Sequence, residues 1–336
     1  MSDFGVTSMT GELRRVAVRP PSTRGDYAAA HWAQPVDLDL LTEQHAAFVE
    51  LLRRLGCQVD VLNPVDDMPD GIFTYDPCFM VGSGFIELRG AKDARVAEPA
   101  VLAAELHECG IPRVGQLTGD ATADGGDMFW LDATTLAVGR SYRTNDAAID
   151  QLRQILEPDV TVTAFDVPHG LGPDFCLHLM SVVSPVREDL AVVYEPLAPV
   201  CLLHELHTRG VEVLPLPEED NLTLGCNVLA IRPGVAVIAS GNDATVALLR
   251  DRRRRQASAG GAWSLAPDGC FALTPFMVTV EAGPAGETRA ASASLALSSD
   301  GAPAARPGEE EEGDDDRCAA PLGAAVVFRA SAGQFS

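Results

Sequence analysis

Apolar residues along this chain follow two spacings in turn, and the alternation repeats. Residues 41–55 carry apolar side chains at the i, i+3, i+4 spacing of a helix buried along one face, and the pattern stops at Gly56. A strand-like run at 57–62 follows at once. The same helix, stop and strand return at 101–109, Gly110 and 111–117, and again at 149–156, Pro158 and 159–165. A fourth copy occupies 200–209, Gly210 and 211–216. The stops recur about every 50 residues, which marks an internal repeat of helix and strand. A short strand at 16–20 precedes the first helix.

Each strand leads through a polar loop into a second apolar run. Those loops hold Asp70 and Asp76, Asp124 and Asp127, His178, and Asn227. Units set round an axis bring such loops together at one end. A fifth unit is predicted from the helical pattern at 244–250, with its strand expected near 253–260 and its loop near 270. Residues 252–261 read Arg-Arg-Arg-Arg-Gln-Ala-Ser-Ala-Gly-Gly, which cannot form a buried strand, although Asp268-Gly-Cys270 falls where the fifth loop belongs. The expected organisation is one α/β domain over 1–280, clear to about 250, followed by a low-complexity, disordered tail over 281–336.

The stretch from Thr122 to Asn145 concentrates the chemistry. Asp124 and Asp127 flank a Gly-Gly pair able to take backbone angles closed to other residues. An apolar run then leads to Arg140 and Arg143, just before the helix-start signal Thr144-Asn145-Asp146. An acidic turn and a cationic one joined by a buried strand suit a small zwitterion with a cationic end. On its own the stretch reads equally as a surface hairpin with a polar tip.

Charge and composition narrow the classes. The formal charge of −23 leaves no basic surface to displace the counterions of a nucleic acid, and part of it sits in the acidic run at 309–316. No apolar run is long enough to span a bilayer and no secretory pattern opens the chain, so the cytoplasm is the expected location. The eight cysteines are scattered singly with no C-x-x-C pair, which fits neither a common zinc pattern nor a disulfide framework. No G-x-G-x-x-G follows a strand, which sets aside a doubly wound nucleotide binder. Lys92 is the only lysine among abundant arginine and alanine, the bias of a GC-rich message.

Five segments in order resemble a known family: Met68-Pro-Asp-Gly-Ile-Phe-Thr-Tyr-Asp-Pro77, Asp124-Gly-Gly-Asp127, Gly139-Arg-Ser-Tyr-Arg-Thr-Asn145, Cys176-Leu-His-Leu179 and Cys226-Asn-Val-Leu229. They are similar to dimethylarginine dimethylaminohydrolases and, more broadly, to the guanidino-modifying (pentein) superfamily of arginine deiminases and amidinotransferases. The resemblance covers residues 12–250 and implies a five-bladed α/β propeller of ββαβ units. It implies Asp70 and Asp76 as carboxylates gripping a guanidinium, Asp124 as a catalytic carboxylate and His178 as general acid and base. Arg143 and Arg95 are implied to hold the substrate α-carboxylate, and Asp127 is a further candidate for substrate contact. The nucleophile of the family is a cysteine in the last repeat after a Gly-Gly. Here the match is Cys270 in Gly269-Cys-Phe-Ala-Leu-Thr-Pro275, which lacks that Gly-Gly.

These residue types suit the reaction. A guanidinium carbon is a poor electrophile for water, whereas a thiolate attacks it, and a bound cation favours the thiolate form. Carboxylates fix the plane of the cation, and an imidazole protonates the leaving amine and then activates water. The implied reaction is hydrolysis of N-methylated arginine to citrulline and an amine, with no cofactor or metal. The expected partner is the small guanidino substrate, with a homodimer as an allowed assembly. The alternatives are an arginine deiminase, an amidinotransferase, or a guanidino binder without a nucleophile. Plainer readings stand beside these: His178 as a core histidine, Asp70 and Asp127 as turn residues, Arg143 in a surface pair, and Cys226 as core. The arginine run, the missing strand and the tail together resemble translation out of frame, so the fifth blade is expected to be corrupted beyond about 250.

Overall fold

A computed structural model of the chain describes residues 4–30, 32, 35–170, 172, 177–221, 223–258 and 271–273. Cys270, Cys176 and the whole tail beyond 280 lie outside the described residues. The first unit places β1 (Arg15–Val18), α1 (Leu38–Arg54) and β2 (Gln58–Val61) in order. The second has β3 (Cys78–Val81), β4 (Gly84–Glu87), α2 (Glu98–Glu108) and β5 (Arg113–Gln116). The third has β6 (Met128–Asp132), β7 (Thr135–Arg140), α3 (Asp146–Leu156) and β8 (Thr161–Asp166). A short turn of helix, α4 (Leu179–Val182), opens the fourth, which continues with β9 (Val183–Arg187), β10 (Leu190–Val193), α5 (Val200–Thr208) and β11 (Glu212–Pro215). The last described elements are β12 (Val228–Arg232), β13 (Val235–Ile238), α6 (Asp243–Ser258) and β14 (Phe271–Leu273).

The helices begin and end for local reasons. In α1, Asp37 caps the N-terminus by accepting from the Leu40 N–H at 3.0 Å, and Arg53 and Arg54 lie in the last turn, favourable to the helix dipole. Asn145 caps α3 in the same way through the Ala148 N–H. Gly56, Gly110 and Gly210 follow α1, α2 and α5 at φ of 99°, 80° and 72°, a left-handed conformation in which a side chain would be strained. These three of the four predicted stops are therefore left-handed helix ends, and the fourth, Pro158, follows the end of α3 at Leu156.

Three sheets share one plan. A hairpin supplies an antiparallel pair, and the strand beyond the helix adds in parallel: β3-β4-β5, β6-β7-β8 and β9-β10-β11. The remaining two sheets depart from it. Among the described residues β12 and β13 form a two-stranded sheet. The helix predicted over 244–250 runs on to Ser258, because straight-chain arginines favour helix and 252–255 offers no alternating apolar face. In the fifth sheet β14 pairs with β1 in parallel, with Phe271 opposite Arg15, where the hairpin plan of the other units would run antiparallel.

Apolar clusters tie neighbouring sheets together. Phe79, Phe85, Ile86, Leu102 and Leu106 of the second unit share one buried cluster with Met128, Trp130, Val138 and Leu152 of the third. Another joins Phe129 and Phe165 to Leu179, Val193, Leu202 and Leu206. The Leu13 N–H donates to the Ile231 carbonyl at 2.7 Å, and an isolated bridge pairs Arg89 with Ala123. The loops before β3, β6 and β9 lie at corresponding ends of their sheets, and the Thr74 hydroxyl donates to the Ala17 carbonyl at 3.2 Å, which puts the C-terminal end of β1 there too. Phe271 thus lies at the opposite end of β1 from these loops.

His45, buried in α1, has its pKa pushed down to about 4, mainly by burial, against a hydrogen bond with the Arg19 backbone that favours its charge. The unfolded chain takes up the proton first, so this contribution to stability is complete above about pH 6.5 and is lost as pH falls toward 4. His45→Leu is expected to spare about 2 kcal/mol of the loss between pH 7 and pH 5, read from urea melts of both proteins.

Candidate active site

Two backbone-anchored hydrogen bonds fasten the loop before β3 to the loop before β6. The backbone carbonyl of Asp76 accepts the Gly125 N–H at 3.0 Å, and Asp76 Oδ1 accepts the Gly126 N–H at 2.9 Å. The sequence predicts that the Gly-Gly pair is needed for its backbone angles. The structure gives a different reason, since neither glycine is at positive φ. A Cβ on Gly125 would lie 2.0 Å from the Tyr75 carbonyl oxygen, and one on Gly126 would lie 2.8 Å from Cδ2 of His178. Loops from two other units pack on these two residues, and only the absence of a side chain lets them do so.

The imidazole of His178 lies between two buried carboxylates. Its Nδ1 is 3.5 Å from Asp127 Oδ2, and its Nε2 is 4.0 Å from Asp124 Oδ2. Asp127 is wholly buried, at 0% exposure. Its Oδ2 accepts from the hydroxyls of Ser141 at 2.6 Å and Thr144 at 2.7 Å, and its Oδ1 accepts the Leu179 N–H at 2.9 Å. It therefore anchors the start of α4, with its charge beside the imidazole. Asp127, expected as a substrate contact, is thus engaged at both oxygens by groups of its own turn and of α4.

Asp124 has no side-chain hydrogen bond to a described residue. Its pKa is pushed up to about 6, first by burial, with Asp76 adding and Arg95, His178 and Arg143 opposing. Asp76 goes the other way: burial is outweighed by Arg95, His178 and the Gly126 N–H, and its carboxyl is held below the usual range. Two neighbouring carboxylates with pKa values driven apart are a common mark of a functional site.

The remaining expected residues are placed as follows. Asp70 is buried, with Oδ1 accepting the Trp32 indole N–H at 2.7 Å and Oδ2 paired with Lys92 at 2.5 Å. Its atoms are engaged, so its effect on the site is through its charge. Arg95, expected at the substrate carboxylate, is buried instead: Nη1 donates to Asp76 Oδ2 at 2.7 Å, and Nε donates to Glu98 Oε2 at 2.8 Å. Arg143 is half-buried and makes no ion pair with a described residue; its charge lowers the pKa of Asp124. Arg140 pairs with Asp146 and Asp166 at the surface. Cys226 is buried with its thiol pushed up to about 12, mainly by burial, as a core cysteine should be. Among the described residues no cluster of His, Cys, Asp and Glu is arranged to hold a metal ion. No helix among them is long and apolar enough to cross a membrane.

Sequence reasoning missed Glu98, Lys92, Trp32, Ser141, Thr144 and Arg89. The three-residue spacing of Arg95 and Glu98 at a helix start was a usable signal, as were the two hydroxyls inside the motif at 139–145. Arg89 is exposed, and its backbone bridges to Ala123, next to Asp124.

The eukaryotic N,N dimethylarginine dimethylhydrolase family matches residues 33–259. The chain belongs to this family. The N(G),N(G)-dimethylarginine dimethylaminohydrolase of Streptomyces coelicolor is 30% identical over 241 residues, 71% of this chain and 86% of that protein. The protein YkgA of Bacillus subtilis is 31% identical over 201 residues, 60% of this chain and 66% of its own length. Among solved structures, the Pseudomonas aeruginosa dimethylarginine dimethylaminohydrolase bound to citrulline matches with a TM-score of 0.58 at 18% identity, over 74% of this chain and 90% of that one. An amidinotransferase of saxitoxin biosynthesis from Microseira wollei matches with a TM-score of 0.60 at 16% identity, over 75% and 89%. The mixed α/β fold is thus that of the pentein superfamily to which dimethylarginine dimethylaminohydrolases belong.

Proposed function

We propose that the chain binds a guanidinium and hydrolyses one of its C–N bonds, converting an N-methylated arginine to citrulline and an amine on a five-bladed ββαβ propeller. The observation that carries this reading is the imidazole of His178 held between Asp127 and Asp124, with Asp76 fastened to the same turn. Asp76 and Asp124 present negative charge to a flat cation, and Arg143 supplies positive charge for its α-carboxylate. A cysteine thiolate attacks the guanidinium carbon, the C–N bond to the amine breaks, and His178 gives the leaving nitrogen its proton. Water, deprotonated by His178, then attacks the thiouronium and frees citrulline and the thiol. Asp127 keeps the imidazole oriented through both steps.

Cys270 is the proposed nucleophile. Cys270 itself lies outside the described residues, and the described cysteines do not lie at the site: Cys57, Cys78 and Cys226 are buried, with thiols raised mainly by burial, Cys109 is half-buried at the end of α2, and Cys201 is exposed on α5. A second reading, a guanidino binder without turnover, is favoured by one observation, the pairing of Phe271 with Arg15 at the far end of β1.

Incubation with Nω-methylarginine and with arginine, followed by amine and citrulline analysis, separates the readings. Citrulline with methylamine, together with haloacetamidine labelling of Cys270, supports the hydrolase. Binding without citrulline supports the binder. Absence of binding to either compound overturns both.

A further inference from the structure

Glu98 lies behind the site with 3% of its surface exposed, at the first residue of α2. Its Oε2 takes Nε of Arg95 at 2.8 Å and lies 2.8 Å from Nη2, while its Oε1 has no hydrogen-bond partner among the described residues. The same guanidinium gives Nη1 to Asp76. One internal guanidinium is therefore shared between the Asp76 carboxylate, which is fastened to the turn at 124–127, and the Glu98 carboxylate behind it.

The groups facing Glu98 are few. Arg95 comes from the turn before α2, and Asp70 and Asp76 come from the loop before β3. Cys78 of β3 touches the Pro99 carbonyl beside it, its thiol held neutral mainly by burial. The Arg19–Glu105 pair lies farther along α2, and Asp124 acts on the group through Arg95. Buried carboxylates outnumber buried cations here, and a buried excess charge is relieved by protonation. Glu98 is accordingly pushed up to about 7, chiefly by burial, with Arg95 opposing and Asp70 adding.

We propose, resting on the guanidinium-binding reading above, that Glu98 is a positioning residue for guanidinium recognition: it retains Arg95 when a ligand cation claims Asp76, and it releases its proton to solvent as it does so. A positive charge enters and a proton leaves, so the buried site keeps its balance. Lacking that carboxylate, Arg95 stays on Asp76 and competes with the ligand.

Calorimetric titration with Nω-methylarginine, in buffers differing in ionisation heat, reads affinity and released protons together. From pH 6.5 to pH 8 the affinity of the parent protein is expected to rise about fourfold with measurable proton release. Glu98→Gln is expected to bind about tenfold more weakly at pH 8 and to lose that slope, and Glu98→Asp to restore it. Unchanged affinity and slope in Glu98→Gln overturns the proposal. Should that variant not fold, binding by the parent without proton release in this window overturns it equally. A parent that binds no guanidino compound removes the underlying reading as well, whereas binding without the slope removes this inference alone.

Discussion

Asp124→Asn is expected to cut turnover of a guanidino substrate about a hundred- to a thousandfold while making the free protein more stable above pH 7. The loss follows from position: Asp124 is the buried carboxylate opposite Nε2 of His178 and has no side-chain hydrogen bond to a described residue, so its charge is available to a ligand. The gain follows from linkage. Its folded pKa is raised to about 6, so the folded state favours the protonated form and this stabilisation is present at low pH. It is lost as pH rises from the ordinary aspartate value through about 6, and above pH 7 the buried charge costs about 1–3 kcal/mol. Asparagine removes that cost. Thermal melts of the two proteins should therefore diverge above pH 7, with the variant higher, and converge near pH 4. A variant that is both inactive and less stable at pH 8 would mean that Asp124 holds the fold together and does not serve a ligand.

The repeat in the sequence made much of this architecture legible. A glycine after an amphipathic run is a local signal, and Gly56, Gly110 and Gly210 all proved to be left-handed helix ends. The convergence of Asp76, Asp124 and His178 was legible for a related reason: they occupy equivalent loops of successive units. Pairings between units were not legible, because they depend on which side chain is buried against which. Arg95 reads as an exposed cation free to take a carboxylate. Folding places it on Asp76, 19 residues back, and on Glu98, where two buried carboxylates hold it more firmly than solvent can. Asp127 reads like its neighbour Asp124, yet the hydroxyls of Ser141 and Thr144 and the Leu179 N–H engage both its oxygens, beside Nδ1 of His178. The fifth unit shows the converse. Among the described residues its arginine run continues α6, and no local signal foretells the parallel pairing of β14.

Gly125→Ala and Gly126→Ala differ by one position and are expected to fail in different ways. At Gly125 the added methyl meets backbone, 2.0 Å from the Tyr75 carbonyl oxygen and 3.2 Å from Asp76 Cα. Neither can swing aside, because the Gly125 N–H is itself bonded to the Asp76 carbonyl. The two loops must part, at a cost of about 3 kcal/mol or more, seen as a lower midpoint in urea and loss of every site function together. At Gly126 the methyl meets side chains, 2.8 Å from His178 Cδ2 and 3.1 Å from Asp76 Oδ1. An imidazole can rotate away at a cost of about 1 kcal/mol in an off-rotamer torsion, so most of the stability should survive. What does not survive is the placement of Nε2 opposite Asp124. Gly126→Ala should therefore retain guanidinium binding within about tenfold and lose turnover, if the parent has it, by about a hundredfold or more. If it instead unfolds the protein as Gly125→Ala does, the turn at 124–127 is a structural clasp whose packing His178 helps to complete, and the imidazole is fixed by that packing.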